Sequence, residues 1–262
     1  MDNGPIIAAM AGKRVNRKRG LVFGWILAIA TMALFSALGF WQLGRAEEKE
    51  AMLAAAQQVL DERDSPLSLQ AAVDPLHADA YHWAEGAGAF VPGPAVLLDN
   101  QMREGRAGVR AYRLLQPSGE SVPLLVELGW LPLPGDRRLP EVVLPEGPQS
   151  LQGLLVPPFS AGTAAAIVAA QPNGDLLVTS LEAPGLPAAL GVAALPPRVL
   201  RLDPAHPLGY ARDLDVLPNT LPPSQHLGYA VQWFGLALTV LATALLLTWR
   251  SRRSAKPSGP VA

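Results

Sequence analysis

The sequence predicts a membrane protein in which two transmembrane α-helices bracket a β-rich exported domain. Two uncharged apolar segments, residues 21–43 and 227–249, contain 23 residues each. At the rise of an α-helix such a segment is about 34 Å long, enough to cross the hydrocarbon core of a bilayer. The polar and turn-forming sequence lies between them. We therefore expect a multi-pass protein that has the lipid bilayer as a partner.

The placement of basic residues predicts the orientation in the membrane. Both apolar segments have basic flanks on the side away from the central region, and such flanks stay in the cytoplasm. The tails 1–20 and 250–262 are thus expected in the cytoplasm and residues 44–225 outside. The lack of a transit-peptide pattern favours a bacterial inner (cell) membrane with a periplasmic domain. The basic residues are Lys13, Arg14, Arg17, Lys18, Arg19, Arg250, Arg252, Arg253 and Lys256.

Charge and cysteine content exclude several classes of function. The tails hold nine of the 21 basic residues and one of the 22 acidic residues, so the central region has a net charge of −9. An acidic exported domain is unsuited to nucleic acid. The absence of cysteine excludes disulfides, thiolate redox chemistry and cysteine-ligated metals.

The first apolar segment is interpreted as an uncleaved anchor. Its basic flank is typical of a signal peptide, but the apolar run is too long and lacks a small-x-small cleavage site before polar sequence. The next residues, 45–63, are rich in Ala, Glu, Leu and Gln, which predicts an initial helix that continues the span outward. The Ser65-Pro66 pair is expected to end it.

Short apolar runs broken by Gly and Pro predict strands from Tyr81 onward. A turn sequence at 116–120 favours a hairpin between the third and fourth runs. Residues 161–170 are expected to form a short helix or a surface insertion, and residues 181–190 a helical turn or two. The exported domain is therefore predicted to be an α+β fold, barrel-like or sandwich-like. The predicted strands are 81–90, 95–99, 109–115, 122–131, 151–156 and 198–202.

The two spans are expected to pack against each other through small residues. Small residues four positions apart let helices approach closely in lipid, although they are also common in membrane helices generally. These residues are Ala30, Ala33 and Ala37 in the first span and Gly235, Thr239 and Thr243 in the second.

The start of the second span is the most specific region of the sequence. His226 lies at the outer end of this span, with Tyr229 one turn deeper and Trp233 two turns deeper on roughly the same face. An ionisable residue at such a depth is a functional candidate, and imidazole is a common protein ligand of haem iron. Alternatively, these amphipathic side chains are anchors at the membrane interface and bind nothing.

The outer end of the first span carries a similar cluster. Trp41 and Arg45 are neighbours one helical turn apart and are expected at the level of His226. Arg45 could receive a carboxylate such as a haem propionate, whereas an interfacial Trp needs no ligand.

Other groups offer weaker candidate sites. His77 and His82 would bind a metal only if a turn brought them together, so they are interpreted as solvated loop residues. Asp213 and Asp215 are likewise interpreted as part of a solvated loop. No nucleophile elbow, phosphate-binding glycine loop or HExxH motif is present, and no enzymatic activity is predicted.

Three motifs resemble those of the surfeit-locus family of cytochrome oxidase assembly proteins. They are Trp-Gln-x-x-Arg-x-x-x-Lys at 41–49, Gly-Trp at 129–130 and His-x-x-Tyr-Ala-x-x-Trp-Phe at 226–234. The family also has two spans that bracket an exported domain. One departure is Leu128, where the family usually has Arg; Arg137 and Arg138 could supply charge nearby.

The resemblance implies a non-enzymatic assembly factor, or chaperone, for cytochrome c oxidase, which is respiratory chain complex IV. It implies transient binding or handover of haem a, with oxidase subunit I and the haem a synthesis machinery as partners. Carried over by position, His226 is the candidate axial ligand of the haem iron. Tyr229 and Trp233 would then pack against the macrocycle, and Trp41 and Arg45 would close the site.

Three alternatives remain open at this point. The first is an interaction scaffold for oxidase subunits that binds no haem. A two-span sensor would need a cytoplasmic signalling module, and only short tails flank the spans. A membrane-tethered hydrolase would need a catalytic constellation that the motifs do not offer.

Overall fold

The structure, a computed structural model, describes residues 4–159, 165–217 and 220–253, with side chains described from residue 19 onward. The chain divides into two compact units. Of the described residues, those up to 50 and those from 221 onward form one of them, here called the helix unit. The described residues between 51 and 220 form the other, here called the sheet unit.

Three α-helices are present in these ranges: α1 at Gly4–Asp61, α2 at Leu186–Ala189 and α3 at Pro223–Arg253. The apolar windows of α1 and α3 have mean hydropathies of 2.2 and 1.9, and only 6% of each window is buried. A core helix of a soluble protein would be mostly buried, so both helices suit membrane anchoring by length and composition.

The α1 helix continues without a break from the first apolar segment into the next predicted helix. It ends at Asp61, shortly before Ser65-Pro66. Its final turns, from Ala51 onward, belong to the sheet unit.

Buried and half-buried side chains of the helix unit recur in alternating steps of three and four along α1 and most of α3. This spacing is the heptad pattern of helices that pack side by side. We call these positions the helix seam. In α1 they are Leu21, Trp25, Ala28, Met32, Phe35, Gly39, Gln42, Ala46 and Lys49, and in α3 Pro223, His226, Ala230, Trp233, Ala237, Val240, Ala244, Thr248 and Ser251.

Contacts across the helix seam show that α1 and α3 are antiparallel. Trp25 Nε1 donates to Thr248 Oγ1 at 2.9 Å. Farther along, the rings of Phe35 and Trp233 lie 5.6 Å apart between centroids. Gly39 lies so close to the next residue of α3, Phe234, that a Cβ would be 2.7 Å from ring atoms. Glycine is therefore required there unless the Phe234 ring moves.

The predicted contact through small residues is wrong. Both predicted series, Ala30, Ala33 and Ala37 in α1 and Gly235, Thr239 and Thr243 in α3, are exposed. The Thr239 and Thr243 hydroxyls donate to carbonyls of their own helix, at 2.8 Å each. A strict heptad seam follows a different face from a series with steps of four, because the two periods drift apart along a helix.

Nine strands form one mixed sheet in the sheet unit. They are β1 Leu67–Ser68, β2 His82–Phe90, β3 Val96–Arg103, β4 Arg106–Pro117, β5 Leu124–Pro132, β6 Pro148–Val156, β7 Val168–Ala170, β8 Leu176–Val178 and β9 Val199–Leu202. The strand order is β1-β2-β6-β9-β5-β4-β3-β8-β7, and an additional pairing of β2 with β4 closes a ring of five strands. This closure corresponds to the barrel-like alternative of the sequence prediction.

Each of the six predicted strands has a counterpart, and β4 and β5 form the expected antiparallel hairpin. The prediction of a helix at 161–170 is wrong for 168–170, which form β7. Residues 160–164 lie outside the described residues. The short helix α2 falls within 181–190.

Two apolar clusters cover opposite faces of the strands, because successive side chains of a strand point to opposite sides. Leu97 and Leu155 belong to one cluster, and their neighbours Leu98 and Leu154 belong to the other. Ala56, near the end of α1, is also buried in the second cluster.

The helix seam makes a prediction that cross-linking can test in the naturally cysteine-free chain. Phe35→Cys combined with Trp233→Cys should be joined efficiently by a short bis-maleimide in membranes, because these residues face each other. The measurement is the fraction of cross-linked chain after proteolysis between the helices.

The matched control is Ala33→Cys with Gly235→Cys, which lie on the exposed faces that the sequence favoured. A higher yield for this control pair would contradict the heptad seam.

Candidate functional site

The candidate site lies at one end of the helix seam, where α3 begins. Pro223 is the first residue of α3, a position that suits proline because its missing N–H would have no helical partner. His226 follows in the first turn and is only 7% exposed. Its Nδ1 lies 2.7 Å from Oε1 of Gln42 on α1.

The other ring nitrogen of His226 gives this site its candidate ligand chemistry. Nε2 is buried and has no hydrogen-bond partner. Buried polar atoms are nearly always hydrogen-bonded, so an exception calls for an explanation. An imidazole nitrogen left open in this way fits the donor chemistry of a haem iron ligand.

Two cations act electrostatically on the imidazole. Lys49 and Arg45 both interact electrostatically with His226. Lys49 is only 6% exposed, while Arg45 forms a 2.5 Å ion pair with Glu48. The surroundings of His226 therefore suit an anionic group, such as a carboxylate.

The predicted site residues divide into two groups. His226 and Trp233 occupy the helix seam, and Arg45 lies close enough to interact with the imidazole. Tyr229 and Trp41 are 40% and 57% exposed and are not seam residues. Packing of Tyr229 against a haem and closure of the site by Trp41 stay predictions.

Sequence reasoning missed Gln42 and Lys49 as site residues. Both belong to the motif at 41–49, but no role was inferred for either of them. Their spacing of seven residues is one heptad and could have placed them on the face that meets α3.

A second polar cluster lies buried in the sheet unit around Glu127, which is 1% exposed. Its carboxylate accepts hydrogen bonds from Arg110 Nη1 at 2.6 Å, Arg201 Nε at 2.9 Å and Tyr112 OH at 3.1 Å. Strand register brings them together, since Glu127 is paired with Tyr112 on β4 and with Arg201 on β9.

These contacts set the charge state of Glu127. Burial alone would raise the pKa of the carboxyl group, but the Arg201 and Arg110 guanidiniums and the hydrogen bonds outweigh it. The pKa of Glu127 therefore lies below its ordinary value, and the group is a carboxylate at neutral pH.

The interpretation of Asp213 and Asp215 as solvated loop residues fits Asp215, which is exposed, but is wrong for Asp213. Asp213 is half-buried and forms a 2.5 Å ion pair with Arg103 of β3, while the backbone carbonyl of Asp215 accepts from Arg201. Arg103 is 110 residues from Asp213, so local sequence could not reveal this ion pair.

The Gly129-Trp130 motif has a structural role at a β-bulge. Gly129 has φ +126°, and a Cβ there would be 2.7 Å from the Tyr210 carbonyl. The backbone N–H of Trp130 donates to Ala211 O at 2.7 Å. Only glycine permits this close approach of residues 210–211 to β5.

Leu128 lies beside this bulge in the apolar core, at 1% exposure. Arg137 and Arg138 do not supply charge there, because their side chains are 75% and 87% exposed and pair with Asp99 and Asp136. The nearby cation is instead Arg212, which donates to carbonyls around the bulge, including that of Leu128 at 3.4 Å.

The prediction that His77 and His82 are solvated loop residues is correct only for His77. His77 is exposed and bonded to Asp74, but His82 is half-buried in β2 and accepts from Arg198 at 2.6 Å. Burial, Arg198 and His77 lower the pKa of His82. Among the described residues, no group of three His, Cys, Asp or Glu could hold a metal ion.

The Glu127 cluster predicts a pH-dependent loss of stability on substitution. Glu127→Gln removes the buried counter-charge of Arg110 and Arg201, of which Arg110 keeps the more distant Asp213 carboxylate at 3.8 Å. The free energy of unfolding at pH 7 should therefore fall by about 3–5 kcal/mol. Because the folded pKa is depressed, the wild-type advantage is fully present above pH 4.5, the ordinary Glu value, and shrinks as pH falls further.

Denaturant unfolding of the full chain in detergent at pH 7 and at pH 3.5 measures this difference. Glu85→Gln, at an exposed position on β2, is the matched control and should change stability little. A Glu127→Gln penalty that is equal at both pH values would contradict the assignment.

Comparison with known proteins agrees with the family resemblance of the three motifs. The model of the SURF1 family matches residues 29–238, which include the sheet unit and part of each apolar helix. A SURF1-like protein of Rickettsia felis is 26% identical over 232 residues, which cover 82% of this chain and 92% of the relative. The family is associated with cytochrome c oxidase assembly. The chain belongs to the SURF1 family.

Proposed function

We propose that this protein assists cytochrome c oxidase assembly by holding haem a transiently at His226 for the maturation of subunit I. Membership of the SURF1 family supports the link to oxidase assembly. The observation that carries the haem proposal is the buried Nε2 of His226, which has no hydrogen-bond partner.

Each residue of the site has a role in this proposal. His226 Nε2 would serve as the axial iron ligand, and Lys49 and Arg45 would pair with the propionates. Trp233 with its neighbour Phe35 would supply apolar aromatic surface beside the macrocycle. When bound, haem a would be the redox-active group destined for the oxidase.

Burial of the ligand nitrogen favours transient rather than permanent binding. Nε2 is covered in the structure, so iron could reach it only after side chains that cover it move aside, with the bond to Gln42 kept. The return of those side chains would then oppose binding and favour release. A carrier that hands its cargo on needs such a limited affinity.

The proposed placement follows the charge distribution. Both tails lie in the cytoplasm, α1 and α3 cross a bacterial inner membrane, and the sheet unit is periplasmic. The periplasmic domain would dock oxidase subunit I, while the haem a synthesis machinery would supply the cargo.

A scaffold that binds no haem is the alternative. Tyr229 and Trp41 are exposed, as expected of side chains that anchor helices at a membrane interface. In this case the sheet unit would bind oxidase subunits, and oxidase assembly would be restored by a His226→Ala chain.

Haem content tests the ligand role of His226. Wild-type protein co-expressed with haem a synthesis should purify with a haem absorption band, and His226→Ala should lose most of it because the iron loses its ligand. His77→Ala, at an exposed histidine of the sheet unit, is the matched control. Equal haem content in wild type and His226→Ala would remove the ligand role.

Charge substitution tests the two cations. Lys49→Gln and Arg45→Gln should each weaken haem binding several-fold, since charge-assisted bonds to carboxylates are lost. Lys49→Arg should retain binding. Titration of haem into the detergent-solubilised protein measures the affinity, and unchanged affinity in both Gln variants would contradict propionate binding.

A further inference from the structure

We infer that Gln42 is a positioning residue that fixes His226 in the tautomer an iron ligand requires; this inference rests on the proposed haem function. Gln42 would not touch the iron. It would act through the imidazole, by deciding which ring nitrogen carries the proton.

The chemistry of the hydrogen bond supports this assignment. The Gln42 atom at 2.7 Å from His226 Nδ1 is the amide oxygen Oε1, which can only accept. Nδ1 must therefore donate. A neutral imidazole has a single N–H, so Nε2 carries the lone pair, and this is the buried nitrogen that lacks a partner.

The fold keeps this arrangement in place. Gln42 and His226 are 184 residues apart in sequence but occupy opposing positions of the helix seam. Ala46 and Ala230, one turn along on either helix, are each 1% exposed. Their methyl groups offer no competing hydrogen bond to the imidazole, so Gln42 is its sole partner among the described residues.

A second hydrogen bond across the seam shows what a purely structural contact looks like. The Thr248 hydroxyl accepts from Trp25 Nε1 at 2.9 Å and donates to Ala244 O at 2.7 Å, so both of its roles are filled. His226, in contrast, has one nitrogen bonded and the other left open. A ring needed only for packing would be expected to satisfy both nitrogens.

The neutral amide also suits a carrier. Metal-ligating histidines commonly donate their second N–H to a carboxylate or carbonyl, and a carboxylate makes the imidazole more basic and the better ligand. The uncharged Gln42 orients the ring but makes the imidazole less basic than a carboxylate would. We therefore expect Gln42→Glu to bind haem at least as tightly as the wild type.

The first experiment examines haem-free protein and does not depend on cargo binding. Full-length chain labelled with ¹⁵N at histidine has only four histidines, so His226→Ala identifies the His226 signals in NMR spectra. Wild type and Gln42→Glu should show the Nδ1–H tautomer. Gln42→Met, which is similar in length but accepts poorly, should shift His226 toward the Nε2–H form.

The second experiment measures haem affinity in the same variants. Gln42→Met should weaken binding about 10- to 100-fold, the usual cost of losing a partner of a metal-bound histidine. Gln42→Glu should retain affinity. Trp25→Phe removes the structural bond to Thr248 and should change neither the tautomer nor the affinity.

The two readouts separate failure of this inference from failure of the haem proposal. An Nε2–H tautomer in wild type, or no change in Gln42→Met, would overturn the role of Gln42 whether or not haem binds. A tautomer shift without haem binding by any variant would overturn the haem proposal and with it any role of Gln42 toward iron. The shift together with the loss of affinity supports both.

Discussion

The hydrogen bond between Gln42 and His226 is the interaction on which the candidate site depends, and it exists because α1 and α3 pack along a heptad seam. A period of three and four residues keeps the same face of each helix toward the other over many turns. The seam thereby brings together side chains from the two ends of the chain. It buries an imidazole at one end, leaves Nε2 without a partner, and sets Lys49 and Arg45 nearby.

The sheet unit uses buried charge in a different way. Glu127 is buried and accepts hydrogen bonds from three side chains of β4 and β9, so its charge is matched inside the fold and is not offered to a ligand. Such a buried cluster adds little net stability over an apolar core but is costly to break. Together with the glycine bulge at 129, it fixes the returning segment 209–215 against the barrel-like ring.

Sequence reasoning succeeded where the signal is local. An apolar run of 23 residues has few alternatives to a long helix, and short apolar runs between Gly and Pro marked six strands. It failed where the outcome depends on a distant partner. The face of α1 that meets α3 could not be chosen from small residues alone, and Arg201 and Asp213 find their partners 74 and 110 residues away.

The same contrast between local signals and distant partners applies to the candidate site. His226 stood out because an ionisable residue at the mouth of an apolar segment is rare. Gln42 did not, since its importance comes from the tautomer it imposes on a residue 184 positions away. Trp41 was the more conspicuous neighbour in sequence, but its side chain is 57% exposed.

The most direct test of the account is electron–nuclear double resonance on ferric, haem-loaded protein whose histidines carry ¹⁵N at a single ring position. The account predicts a strong ¹⁵N coupling to the iron when Nε2 is labelled and only a weak one when Nδ1 is labelled. A strong coupling from Nδ1, or no histidine coupling at all, would contradict it.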